Sequence, residues 1–144
     1  MTDGIPQHLG ARIAALAEEM ARHGNHREAP VREVMAKLGD RWSTLILIVL
    51  EMGEWRHADL KRVLVQLSAE KAISQRVLTL KLRALERDGF VERRATADVP
   101  PRVSYRLTAL GERLAAEARR MIGWVNSQAG AIEAARQAFD MRED

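Results

Sequence analysis

The sequence predicts a mainly α-helical chain carrying one small β-hairpin. Apolar residues recur at spacings of three and four through most of the 144 residues, as amphipathic helices require. A period of two is confined to two short runs, residues 91–95 and 103–107, which read as half-buried strands. Aromatic residues make up 4% of the chain against 30% charged ones, a balance that argues against a sandwich or lectin-like fold. The length suits one domain with its own core and one or two attached helices.

Cysteine is absent, which excludes disulfides, thiolate nucleophiles, thiol redox switches and cysteine-based zinc sites together. No run approaches the length of a membrane span, and the opening MTDGIPQHLG has neither a basic nor an apolar leader region. A cytoplasmic protein with no membrane partner is expected. The chain shows no Gly-rich phosphate loop, nucleophile elbow or zincin pattern, so no catalytic residue, cofactor or enzymatic activity is expected. His23 and His26 are close in sequence, yet no carboxylate cluster joins them, and no metal site is expected.

Residues 9–23 place Leu9, Ile13, Leu16, Ala17, Met20 and Ala21 on one side of a helix, with Gly24 as its stop. Pro30 suits the first turn of a second helix, whose apolar positions are Val31, Val34, Met35 and Leu38 and which Gly39 closes. Asp40 can cap RWSTLILIVLEM, in which Trp42, Leu45, Ile46, Val49 and Leu50 form a broad stripe and Ile48 nearly completes the circle. Such a helix belongs in the core. EWRH is a turn or an isolated bridging strand, and a fourth helix with Leu60, Val63, Leu64 and Leu67 leads into a polar link, SAEKA.

In the next helix Ser74 is the N-cap, and Ile73 and Leu78 form a hydrophobic staple. At about 100° per residue, Leu78, Leu82 and Leu85 share the packed face. Arg76, Leu80, Arg83 and Arg87 line the opposite face, with Thr79 beside them and Lys81 nearer the packed side. Asp88 and Gly89 end the helix. The two strands then flank TADVPPR, a tip that Pro100 and Pro101 stiffen and strip of pairing amides. From Thr108, a further N-cap, the chain returns to helix. Leu114, Ala118, Met121, Val125, Gln128, Ile132, Ala135 and Phe139 follow the spacing of a seam, with a break or bend expected at Gly123 and Gly130.

The charge is unevenly spread. Residues 54–107 carry 12 Lys/Arg against 7 Asp/Glu, whereas residues 1–53 carry 6 against 7 and residues 108–144 carry 5 against 6. A polyanion therefore belongs in the middle third. Helix, helix and two-stranded hairpin, with arginines on the second helix, is the order of a winged helix-turn-helix, whose second helix enters the major groove of duplex DNA. Leu80 is either a contact to a thymine methyl or an incidental surface leucine. Arg102 either enters a narrow minor groove or touches phosphate. Arg93, Arg94 and Arg106 suit phosphate or solvent. Trp42, Trp55 and Trp124, with Met35, Met52 and Met121, either line an effector pocket or, by default, pack in the core. From a different class, a basic module that binds an acidic protein partner also fits the charge.

The wording goes beyond the architecture. GDRWSTLILIVL, ISQRVLTLKLRALERDGFVERR and VPPRVSYRLTALGERL resemble the HxlR-type family of bacterial, MarR-like winged helix-turn-helix transcription regulators, over roughly residues 30–125. The resemblance implies a homodimer whose terminal helices pair two winged domains across a pseudo-palindromic operator. It implies that Ser74, Gln75, Arg76, Thr79, Lys81 and Arg83 lie in the recognition helix, and that Pro100, Pro101 and Arg102 lie in the wing. The helical wheel adds Arg87. The expected organisation is an N-terminal arm and helix (1–29) that dimerises or caps, a DNA-binding domain (30–107) and C-terminal dimerisation helices (108–144).

The expected function is a sequence-specific regulator, a repressor rather than an activator, controlled by an effector that does not act on a thiol. Many relatives have a cysteine where this chain has Ala29, and in some it senses oxidants or electrophiles. Relatives usually have an aromatic where this chain has His57, a shorter link into the recognition helix, and no counterpart of the helix at 9–23.

Overall fold

The computed structural model describes residues 4–70 and 72–143, which divide into two compact units, one ending at Asp40 and the other beginning at Arg41. The N-terminal unit has a short 3-10 turn, Gln7–Leu9, followed by α1 (Gly10–Arg22) and α2 (Pro30–Gly39). Pro30 occupies the first turn of α2, where its missing N–H costs nothing. Ala29 is the N-cap, and its carbonyl accepts the amides of Arg32 and Glu33 at 3.0 and 3.1 Å. α1 buries none of its residues and leaves Ile13, Leu16 and Met20 exposed.

The second unit runs α3 (Arg41–Leu50), β1 (Trp55–Arg56), α4 (His57–Leu67), α5 (Gln75–Arg87), β2 (Val91–Ala95), β3 (Val103–Leu107), α6 (Ala109–Ser127) and α7 (Ala129–Glu143). α3 is central and touches α4, α5, β3 and α6. Its Ile46, Leu47 and Val49 are wholly out of water, as are Leu60 and Leu64 of α4, Leu78, Leu82 and Leu85 of α5, and Ala115 of α6. Each such large side chain contributes about 1.5–3 kcal/mol relative to exposure. The predicted helix pattern and hairpin are thus present, and the polarity of the wheel on α5 is as expected.

EWRH is more than a turn. Trp55 and Arg56 pair antiparallel with Tyr105 and Ser104, making a third strand in the order β1-β3-β2. The indole of Trp55 donates to the carbonyl of Val49 at 3.1 Å, which ties this strand to the end of α3. Ion pairs between Arg41 and Glu70 and between Arg119 and Glu51 brace the α4–α5 link and α6 in turn.

α5 stops in a Schellman arrangement: the amide of Phe90 reaches the Leu85 carbonyl and that of Gly89 the Glu86 carbonyl, both at 3.0 Å. Gly89 takes φ +84°, a conformation open to glycine at little cost. The hydroxyl of Thr108 then donates to the Gly89 carbonyl and accepts the Gly111 amide at 3.0 Å, joining the end of α5 to the start of α6. Gly111 lies so close to this junction that an added Cβ would sit 1.9 Å from the Phe90 carbonyl oxygen.

Two expectations are corrected. The C-terminal helix breaks at Gln128 and not at Gly123 or Gly130, which stay inside α6 and α7. Ser127 donates to the Trp124 carbonyl at 2.6 Å, and the Gln128 amide is shared between Trp124 and Val125, so the last turn tightens and ends. A helical glycine costs only about 1 kcal/mol, too little to bend a helix alone. Core packing also fails for four of the six Trp and Met side chains: Met35, Met52, Met121 and Trp124 are 58, 66, 60 and 61% exposed, while Trp42 and Trp55 are half-buried. Among the described residues no helix is long and apolar enough to cross a membrane.

Gly111→Ala drives a methyl into backbone that two hydrogen bonds hold in place. The expected loss is about 2 kcal/mol or more, from the usual range for overpacking, read as a lower urea midpoint with an unchanged m-value.

Candidate nucleic-acid interface

α5 begins where its sequence says it should. Ser74 accepts the Val77 amide at 3.0 Å, a cap worth about 1 kcal/mol, and Ile73 and Leu78 are buried on either side of it. With Leu78, Leu82 and Leu85 turned inward, Ser74, Gln75, Arg76, Leu80, Arg83 and Arg87 are exposed, Thr79 is half-buried on the flank, and Lys81 is half-buried toward the packed side. The resemblance and the wheel differ most over Lys81. Its burial follows the wheel.

The hairpin projects beside this helix. Thr96 donates its amide to the Arg102 carbonyl at 2.9 Å, and the Arg102 amide donates to the Thr96 hydroxyl at 3.0 Å, which closes the tip holding Val99, Pro100 and Pro101. All three of those residues and Arg102 are exposed. The wing arginines are not equivalent. Arg106 donates through Nε and Nη2 to Glu92 at 3.1 and 2.9 Å, and Arg94 pairs with Glu54 at 3.7 Å. By contrast, among the described residues nothing pairs with the guanidinium groups of Arg76, Arg83, Arg93 or Arg102. The cations open to an outside anion are therefore a subset of those the sequence offered.

Between α5 and the sheet lies a cleft of about 620 Å³, lined by His57 and Ala58 of α4, Gln75, Thr79, Arg83 and Glu86 of α5, Arg93 of β2, and Val103 and Tyr105 of β3. It brings together Gln75, Thr79 and Arg83 of the sequence-predicted set, and leaves Arg76 and Arg102 outside its lining. Five of its residues are not singled out by the sequence as part of the site: His57, Ala58, Glu86, Val103 and Tyr105. Glu86 was recoverable, since it follows Gln75, Thr79 and Arg83 along one helical ridge. His57 needed the fold, because only the packing of α4 against β1 and β3 brings its ring here.

His57 Nε2 lies 3.1 Å from Thr79 Oγ1, and its ring sits 6.1 Å from that of Tyr105 at a 56° tilt. Burial, reinforced by the nearby Lys61 charge, pulls its pKa below the ordinary imidazole value. The folded state thus favours neutral His57. Its contribution to stability is fully present above the ordinary pKa of about 6.5 and is lost as pH falls through the lowered folded value. The stability difference between wild type and His57→Gln should accordingly shrink as pH is lowered from about 7.5 to about 5. Parallel urea titrations across that range measure it, and a constant difference would show that the ring does not titrate there.

Elsewhere in the chain, an open apolar groove of about 570 Å³ runs along α1 and α2, lined by Leu16, Met20, His23, Pro30, Val31 and Arg32 among others. Met121 and Trp124 line a shallow depression on α6 with Glu117 and Arg120.

Comparison with known proteins agrees with this geometry. Residues 37–133 match the model of the HxlR-like helix-turn-helix family. The HTH-type transcriptional regulator YtfH of Escherichia coli is 38% identical over 98 residues, covering 68% of this chain and 73% of that protein. The structure of the transcriptional regulator ytfH from Salmonella typhimurium superposes with a TM-score of 0.64 at 34% identity, over 78% of this chain and 95% of that one. The reduced form of the redox regulator HypR gives a TM-score of 0.61 at 32% identity, over 73% of this chain and 98% of that one. With capped recognition helix, wing and family match in agreement, this chain belongs to the HxlR-like helix-turn-helix family of transcriptional regulators.

Proposed function

We infer that the protein is a homodimeric, sequence-specific regulator that reads duplex DNA with α5 in the major groove and the wing beside it, and that it represses by occupying its operator. The observation that carries this reading is the set of four guanidinium groups, Arg76 and Arg83 on α5 and Arg93 and Arg102 on the wing, that no described residue neutralises while neighbouring Arg94 and Arg106 are paired. Phosphate contacts supply most of the affinity, and Arg76, Thr79 and Arg83 supply base-edge contacts. Ser74, Gln75, Lys81, Arg87 and Arg102 complete the interface at its ends and flanks.

The dimer reading rests on apolar surface. Leu16 and Met20 of α1, and Met121, Trp124 and Phe139 of α6 and α7, are each more than half exposed. A second copy covering residues 1–29 and 108–144 would dry these faces and set the spacing of two half-sites, leaving residues 30–107 to read DNA. Control falls to a bound small molecule or partner, since the chain has no thiol. A cytoplasmic location follows from that role.

Titration against random duplex at several salt concentrations tests the DNA reading. The affinity should fall along a log-log line with a slope of about −0.9 per phosphate contacted, and an absence of binding at low salt would sink it in favour of an acidic protein partner. Arg83→Ala should weaken the preferred site by about 1–3 kcal/mol beyond its effect on random duplex if it grips a base edge with two hydrogen bonds. Equal losses on both would reduce Arg83 to a phosphate contact. Removal of residues 9–23 should shift sedimentation toward monomer; an unchanged dimer would leave α1 to cap its own unit.

A further inference from the structure

We propose that His57 is a specificity-determining residue, one that fixes how Thr79 reads a base edge. The proposal rests on the DNA-reading role of α5 inferred above. A threonine hydroxyl carries one donor and two acceptor sites and rotates to suit its partner, so a free threonine on a recognition helix discriminates poorly between bases. Here it is not free. His57 Nε2 stands 3.1 Å from Thr79 Oγ1, so one hydrogen-bonding function of the hydroxyl is used inside the protein: its proton where Nε2 accepts, one lone pair where Nε2 donates.

The holder is itself held. His57 is the first residue of α4, and its ring lies against Tyr105, whose side chain is only 4% exposed and whose backbone is paired on both sides, to Trp55 and to Arg93. Thr79 is half-buried on the flank of α5 and lines the same cleft as Gln75 and Arg83. A chain of contacts therefore runs from the buried face of the sheet, through Tyr105 and His57, to one hydroxyl on the helix placed to enter the groove. Among the described residues, Arg76 and Arg83 of α5 have no such support.

The test starts from the duplex that the wild-type protein selects out of a random-sequence library. Dissociation constants for that duplex and its single-base variants define a discrimination profile, with each variant's folded fraction checked by circular dichroism. Thr79→Val marks the base pair that Thr79 reads, where wild type should discriminate by about fivefold or more, as one mismatched pair typically does. His57→Phe keeps an aromatic ring against Tyr105 and removes the hydrogen bond. It should reduce discrimination at that pair to within about twofold and leave the other positions as in wild type. His57→Gln, which places an amide near the former ring nitrogen, should recover most of the loss, and the His57→Phe, Thr79→Val double variant should read as Thr79→Val alone.

Discrimination that survives His57→Phe, that falls equally at every base pair, that glutamine fails to restore, or that is lost additively in the double variant overturns the role of His57. If wild type selects no sequence and binds no duplex at low salt, the DNA reading itself fails, and this proposal with it. Selection of a clear site that His57→Phe reads unchanged removes only the proposal.

Discussion

Ile46, Leu47, Val49 and Leu50 take α3 out of water on nearly every side, so α4, α5, β3 and α6 must each turn an apolar face toward it. That demand fixes more than stability. With Leu78, Leu82 and Leu85 committed to α3 and the sheet, α5 has no rotational freedom left. A turn by one residue, about 100°, would drive Val77, Lys81 or Ala84 into the core positions and strand leucines in water. The outward row of Arg76, Leu80, Arg83 and Arg87 is thus a consequence of core packing.

Electrostatics selects within that face. Glu92 and Glu54 take up Arg106 and Arg94 on the sheet, where unpaired cations would otherwise attract polyanions without regard to shape. Exposed ion pairs of this kind add little stability, up to about 1 kcal/mol, so their effect is mainly on where positive potential remains. It remains on α5, at Arg93 in the cleft and at Arg102 beside the proline-braced tip. Glu86, which also lines the cleft, opposes an anion there and restricts phosphate approach to the rest of the helix. The result is a positive surface with an acidic boundary, which favours a particular docking pose over general adhesion to DNA.

Much of this was legible in the sequence, because the signals involved are local. The Ser74 cap, the Schellman stop at Gly89 and the leucine stripe of α5 each lie within a few residues of one another, and the structure reproduces them. What was not legible depends on contacts between distant segments. The sequence allows EWRH to be a bridging strand but does not name its partner, since the pairing of Trp55 with Tyr105 joins residues far apart in sequence. The His57 to Thr79 contact is hidden for the same reason. The helix break at Gln128 is not legible either: Gly123 and Gly130 are the residues that suggest a break, whereas a serine hydroxyl and a shared amide close the turn. The exposure of Trp124 and Met121 is likewise hidden, since apolar character alone does not say whether a residue's own chain or a partner will cover it.

The absence of cysteine bears on how such a reader is controlled. Its position of resemblance, Ala29, is fully buried and serves as the N-cap of α2, so the helix start is kept by backbone hydrogen bonds that need no thiol. The redox regulator HypR in its reduced form superposes on this chain at 32% identity, and this chain has no thiol. A switch without covalent chemistry must work by differential binding: to move a population from mostly bound to mostly released, a ligand has to prefer one state by about 5.5 kcal/mol. Preferences of that size require buried area. In the proposed dimer, the surfaces that supply it are the half-exposed apolar faces of α1, α6 and α7, whose repacking alters the distance between two recognition helices while the core around α3 stays intact. Control of spacing and control of base reading are then separable, the first residing in the terminal helices and the second in α5 with the residues that hold it.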